Sequence, residues 1–264
     1  MSAPISRLGL CAGVLMISTW STPGLFLRAL PDFDPWAVIG LRLTAAALSL
    51  LVLCLAVPAW RAGLGAALGR ARLWAAATPM ALYYLFSTIA FLRAPIAVVA
   101  LLVATSPLML AAADAAAGRA PDRRTAAGLA LAVAGLALCL GPDLGGGAID
   151  PIGLAGALAA AACSAVFVRS RAVAGKAPAP VATLMSCCAG PPILLIAWAA
   201  GAPIATDAAI ALSVDILPIL VGLGLIGTAT PTAAYALAGD RLPAVLTGAL
   251  NLLVPVGAAA LAWI

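Results

Sequence analysis

The chain has 264 residues, 65% of them hydrophobic and 9% charged, with a mean hydropathy of +1.17 and a net charge of +5. A water-facing surface draws on about 25% charged residues, so a soluble domain is excluded and the chain reads as an integral membrane protein. Histidine and glutamate are both absent, which removes the commonest metal ligand and the side chain that titrates near neutrality. No metal or cofactor is expected, and the basic excess lies on loop arginines rather than in a nucleic-acid footprint.

Apolar runs separated by charged or Gly/Pro-rich breaks predict nine helices, near 8–27, 35–57, 73–92, 95–117, 124–141, 152–172, 179–200, 213–238 and 243–263. Each approaches the ~20 residues that a bilayer-spanning helix needs. None alternates with period two, so no sheet is expected. The first run continues past Trp20 with no small-x-small cleavage site to end it. Cys11, Cys54, Cys139, Cys163, Cys187 and Cys188 all lie in apolar runs and read as packing residues.

Loop charge orients the chain. With the N-terminus in the cytoplasm, eleven of the fourteen basic residues fall inside, and only Arg28, Arg42 and Arg93 fall outside. The outer loops then carry Asp32, Asp34, Asp143, Asp150, Asp207 and Asp215. The opposite orientation inverts this bias.

An internal repeat underlies the run of helices. Arg93-Ala-Pro95, its apolar run and Pro107 recur 148 residues later as Arg241-Leu-Pro243, an apolar run and Pro255. Trp20 to Arg28 likewise matches Cys163 to Arg171 at an offset of 143. Five helices per copy is an odd number, so the second copy enters the membrane from the opposite side. The expected fold is an all-α membrane bundle of two inverted five-helix halves, 1–145 and 146–264. The helix beginning near Arg124 has no counterpart before Ile264. A tenth helix lying outside the sequence is therefore expected, and a nine-helix protein is the alternative.

These features, taken in order, resemble the drug/metabolite transporter superfamily, and within it the EamA-type exporters. Trp20-Ser21-Thr22 resembles the family's Trp-Gly-Ser/Thr element, Arg42 its second-helix arginine, and Pro107-Leu108 its fourth-helix signature. Gly128 to Gly135 resembles its fifth helix; Gly227-Thr228, Tyr235, Arg241-Leu-Pro243 and Pro255-Val256 resemble its eighth and ninth. Arg119 departs from the pattern, standing near where an acidic residue is common. The resemblance implies a ten-helix transporter in a bacterial-type inner (plasma) membrane that exports small metabolites by alternating access. A YddG-like amino-acid exporter, aromatic substrates included, is the first subgroup to try. A drug, nucleoside or sugar-phosphate carrier, or a non-transport membrane subunit, is the alternative. The partners implied are a small-molecule substrate and the lipid bilayer; the oligomeric state is left open, a monomer being compatible with the reading.

Polar groups inside a bilayer are few, and each has a functional and a plain reading. Trp20, Ser21 and Thr22 precede Pro23, where the freed carbonyl offers a ligand contact or a packing kink. Tyr83 and Ser87 share one helix face, and Tyr84 and Thr88 the next; two mid-span tyrosines point to a hydrated cavity rather than an interfacial belt. Thr228, Thr232 and Tyr235 form a stripe that serves a substrate or helix–helix bonding. Asn251, the only asparagine, either binds substrate or locks two helices. Ser164 is a weaker candidate. Pro107, Pro255, Pro23 and Pro231 are candidate hinges or gates. Asp114, in the fourth span, is the coupling candidate, against the plain reading of an interfacial aspartate. Arg42 and Arg93, at outer helix ends, either attract a carboxylate or snorkel to headgroups. A catalytic constellation and a ring of pore charges are both lacking, so a transporter is expected in preference to an enzyme or a channel.

Overall fold

Proline sets where most helices begin, because its missing N–H and fixed φ suit the first turn. The computed structural model describes residues 6–118, 123–140, 150–174, 177–242 and 244–262. Its first half comprises α1 (Arg7–Trp20), α2 (Pro23–Ala29), α3 (Pro35–Ala56), α4 (Pro58–Leu68), α5 (Ala71–Arg93), α6 (Ile96–Val103), α7 (Ser106–Ala116) and α8 (Arg123–Leu140). Then follow α9 (Pro151–Ala174), α10 (Ala179–Cys187), α11 (Gly190–Ala199), α12 (Ile204–Ala211), α13 (Leu217–Gly224), a π-helical turn (Leu225–Ala229), α14 (Thr230–Arg241), α15 (Ala244–Asn251) and α16 (Val254–Ala262). No strand occurs among the described residues. The boundary expected at 145/146, together with Arg119, Asp143 and Pro243, lies outside them.

Seven stretches among the described residues are long and apolar enough to cross a membrane: Arg7–Ala29, Pro35–Ala56, Ala71–Arg93, Val98–Ala116, Pro151–Arg171, Ala179–Ala199 and Leu217–Arg241. The two other expected spans are helical as α8 and as the α15–α16 pair. Several spans differ from expectation by being broken. The first is interrupted at Ser21–Thr22, the fourth at Ala104–Thr105, the seventh at Cys188–Ala189 and the ninth at Leu252–Leu253. The stretch between the second and third spans, expected as loop, holds α4, and α12 likewise fills part of 201–216.

Burial is inverted relative to a soluble protein. Leu131, Leu138, Leu195, Ile196 and Trp198 face outward, whereas Ser21, Arg42, Ser87, Thr88, Thr228, Thr232 and Asn251 are buried. Lipid offers apolar side chains no less than the interior does, so helix association rests on close packing and interhelical hydrogen bonds. α5 packs along α9, and α1 along α14; α3 crosses both α10 and α11. α6 and α7 lie against α9, while α15 and α16 lie against α1.

Glycine allows the tightest of these crossings. A Cβ at Gly190 would stand 2.5 Å from the Thr44 backbone nitrogen and 2.9 Å from the Gly40 carbonyl oxygen, neither of which can move without moving α3. A Cβ at Gly224 would meet the Ala46 backbone nitrogen at 2.9 Å. At one end of the bundle, Asp150 caps α9 by accepting from the Ile152 N–H at 2.8 Å and from Arg93 Nη1 at 3.1 Å. At the other, Arg171 pairs with Asp240 at 3.1 Å and Arg169 with Asp114 at 3.2 Å.

Gly190→Val is expected to overpack the α3–α11 crossing and cost about 1–3 kcal/mol or more, seen as loss of monodisperse protein in detergent. Gly65→Ala, where a Cβ meets nothing within 4 Å, is expected to leave the protein intact. The Ile152 N–H and then Arg93 hold the Asp150 carboxyl below the ordinary carboxylate range. Its contribution is therefore present above the unfolded-state pKa and lost as pH falls through the lower folded-state value. Asp150→Asn should accordingly flatten the decline of thermal stability below about pH 4, as followed by melting across a pH series.

Candidate functional site

The breaks in the spans meet one another. Pro23 deprives the Thr19 carbonyl, four residues back, of its helical donor, and the Thr22 hydroxyl donates to it instead at 2.8 Å. The Ser21 hydroxyl donates to Ile17 O at 2.8 Å and reaches across to Val254 O at 3.1 Å. Val254 opens α16 immediately after the break that follows α15. Asn251, the last residue of α15, donates from Nδ2 to Ser106 Oγ at 3.4 Å, and Ser106 opens α7. Ser21 and Asn251 thus tie three interrupted spans together.

A pocket lies where they meet. Trp20, Ser21, Arg42, Tyr83, Ser87 and Asn251 give it polar and aromatic groups, and Phe91, Ile96, Ala100, Val103 and Ala258 give it apolar wall. Its volume is ≈ 30 Å³, room for about two water molecules. Neither the sixth nor the eighth expected span lines it; the second does, through Arg42.

Arg42 is the residue that sequence reasoning misplaced. It was expected at an outer helix end, attracting a carboxylate or snorkelling to the headgroups, yet it is 2% exposed. Pro231 accounts for part of this. Lacking an N–H, it leaves the Gly227 carbonyl without its usual i→i−4 donor, inside the π-helical turn Leu225–Ala229. Arg42 Nη2 donates to that carbonyl at 3.0 Å, Nη1 donates to Thr88 Oγ1 at 3.1 Å, and Nε donates to Thr228 Oγ1 at 2.6 Å. The Thr228 hydroxyl in turn donates to Leu223 O at 2.8 Å. The guanidinium also stands 4.9 Å from the Tyr84 ring centroid, within cation–π range. A π-turn is a recurrent mark of functional sites, and here its released carbonyl receives a cation.

Behind the pocket the tyrosines divide their work. Tyr84 is wholly buried, donating to Thr228 O at 3.0 Å while its phenol makes a second, short contact with Thr232 Oγ1. Thr232 in turn donates to Thr228 O at 2.8 Å. Tyr83 faces the pocket, and no hydrogen bond of its phenol occurs among the described residues. Trp20 joins the two halves of the chain, its ring 6.0 Å from Tyr83 and 5.1 Å from Tyr235. The Tyr235 phenol stands beside the Ser164 side chain.

Of the residues singled out by sequence, Trp20, Ser21, Tyr83, Ser87 and Asn251 line the pocket. Thr228, Thr232, Tyr235 and Ser164 stand one layer behind it, and Thr22 turns to its own helix. Pro23 lines the pocket, and Pro107 and Pro255 occupy the second positions of α7 and α16, each directly after a break. Asp114 is not brought to the site: it pairs with Arg169, and both side chains are more than a third exposed.

Tyr84→Phe should lower stability by about 1–3 kcal/mol, because it strips a buried carbonyl and a hydroxyl of a partner. Tyr83→Phe should shift the melting transition far less. Parallel thermal melts of the two variants check the contrast.

Comparison with known proteins agrees with this architecture. A crystal structure of another protein superposes with a TM-score of 0.61 over 96% of this chain and 86% of that one, at 22% sequence identity, a likeness that shows the fold. No curated protein matches the chain in sequence. The sequence model of the EamA-like transporter family matches residues 7–141, just over half of the 264 residues. The chain belongs to the EamA-like transporter family.

Proposed function

We propose that this membrane transporter of small solutes exports metabolites, amino acids first among them, from a cytoplasm in which its N-terminus lies. The observation that carries the reading is the meeting of three interrupted spans at one aromatic and hydroxyl-lined pocket. Discontinuous helices around a shared site are the common design of carriers that alternate access. A wall of Trp20, Tyr83 and Phe91 suits a solute with an apolar or aromatic side chain.

Two inverted halves supply the moving parts. The break at Ala104–Thr105 and the break at Leu252–Leu253 lie 148 residues apart, the offset of the sequence repeat. The packing is reciprocal between repeat counterparts: α5 meets α9 as α14 meets α1, and α6–α7 meet α9 as α15–α16 meet α1. Tyr84 contacts Thr232, its own counterpart by that offset. With Arg42 inside the bundle, only Arg28 and Arg93 remain on the side assigned as external, which sharpens the positive-inside bias. The assigned membrane is a bacterial-type inner membrane.

Asp114 pairs with Arg169 away from the pocket, which favours facilitated diffusion over proton coupling. Counterflow into proteoliposomes loaded with unlabelled amino acids tests the whole reading. Labelled phenylalanine, threonine and methionine should enter saturably and with little dependence on a pH gradient. Asn251→Leu should reduce entry about tenfold or more at unchanged protein level. Entry of none of them would remove the amino-acid assignment, and linear, non-saturating entry would point to a channel.

A further inference from the structure

We infer that Arg42 and Trp20 together form an anion subsite, which receives the carboxylate of the transported solute. The inference rests on the transporter reading of the same pocket and adds the chemistry by which that pocket selects.

The first observation is a buried charge without a counter-charge. A guanidinium does not lose its proton in a protein, and a buried cation is costly unless it is paired. The partners of Arg42 are two hydroxyls and a carbonyl, together with the Tyr84 ring, all of them neutral. No carboxylate among the described residues reaches it. These three bonds engage three of the five N–H groups that arginine carries, leaving two to donate. An intramembrane ionisable side chain in this condition marks a binding site.

The second observation is independent of the first. Trp20 Nε1 is buried and has no hydrogen-bond partner among the described residues, although buried polar groups are nearly always paired. Trp20 and Arg42 line the same pocket. An unpartnered indole N–H and a cation without counter-charge, on two residues that line one pocket, call for an acceptor that carries negative charge.

The lining also says which anion. Among the described residues it holds no acidic side chain and no second cation. A dianionic phosphate would exceed the single charge present. An ammonium would find no counter-charge, so the carboxylate end, not the amino end, anchors the solute. Phe91, Ile96, Ala100 and Val103 provide apolar wall for the remainder. Planar bidentate capture of a carboxylate is what a guanidinium does best.

The test uses the full chain in lipid nanodiscs and equilibrium dialysis of labelled phenylalanine, phenylpropanoate and phenethylamine. The three probes share one ring and differ in which charged group they carry. Phenylalanine and phenylpropanoate should both bind saturably, with phenethylamine about tenfold weaker or worse. Arg42→Gln and Trp20→Phe should each weaken the two carboxylates by about tenfold or more. Trp20→Phe keeps a ring beside Tyr83 and Tyr235 while deleting the N–H along with part of the indole, so it gives a second readout even if Arg42→Gln fails to fold. Equal binding of phenethylamine, undiminished carboxylate binding in Trp20→Phe, or no carboxylate bound at millimolar concentration would overturn the subsite. Complete displacement by chloride at physiological concentration would assign the cation to an inorganic anion and overturn the solute assignment. Carboxylate binding without saturable counterflow would keep the subsite and remove the transport reading instead.

Discussion

A carbonyl released inside a bilayer has no water to turn to, and the site of this protein is built from the ways its released carbonyls are answered. Pro231 frees Gly227, and Arg42 answers from another helix. Pro23 frees Thr19, and the Thr22 hydroxyl answers locally. The Ser21 hydroxyl, beside that break, also reaches the Val254 carbonyl at the start of α16. Where the answering group is local, the result is a kink and nothing more. Where it comes from a distant segment, the break becomes a junction between parts of the chain that no sequence neighbourhood unites.

Arg42 is the most consequential of these answers. In water its charge would cost little, and a partner hydroxyl would add only about 1 kcal/mol. Within the bundle the same group holds the π-turn, Thr88 of α5 and the Tyr84 ring in one arrangement. Thr228 is central to that arrangement, since its hydroxyl accepts from Arg42 and donates to Leu223, while its carbonyl accepts from Tyr84 and Thr232. Helices α3, α5 and α14 are thereby coupled through polar contacts in a protein whose remaining contacts are mostly small apolar side chains. That gives the proposed carrier a definite polar centre around which otherwise forgiving surfaces can slide.

Much of the fold was legible because bilayer thickness imposes a length on every apolar run, and the positions of Trp20, Tyr83, Ser87 and Asn251 followed from their rarity in such runs. The breaks were less legible. Pro79 sits inside an unbroken α5, whereas Pro107 follows an interruption; the residue type is the same, and tertiary packing decides. Short helices α4 and α12 were read as loop because neither is long enough to show a period. Arg42 was misread because its partners lie as far as 186 residues away. Yet two signals were present. It stands seven residues beyond Pro35, about 10 Å along the helix axis at 1.5 Å per residue, which is deep for a snorkelling side chain. Gly227 also stands four residues before Pro231, the spacing at which proline orphans a carbonyl.

The π-turn has one further effect. It accommodates one residue more than an α-turn of the same rise, so the faces of α13 and α14 are out of phase with each other along a single span. The Leu217–Gly224 part can follow α3 while the Thr230–Arg241 part turns Thr232 and Tyr235 toward Tyr84 and Trp20. Removing any one residue between Leu225 and Ala229 would restore a regular helix and rotate everything downstream away from its partners. In this segment the number of residues is therefore constrained together with the identity of Thr228, whose hydroxyl holds Arg42.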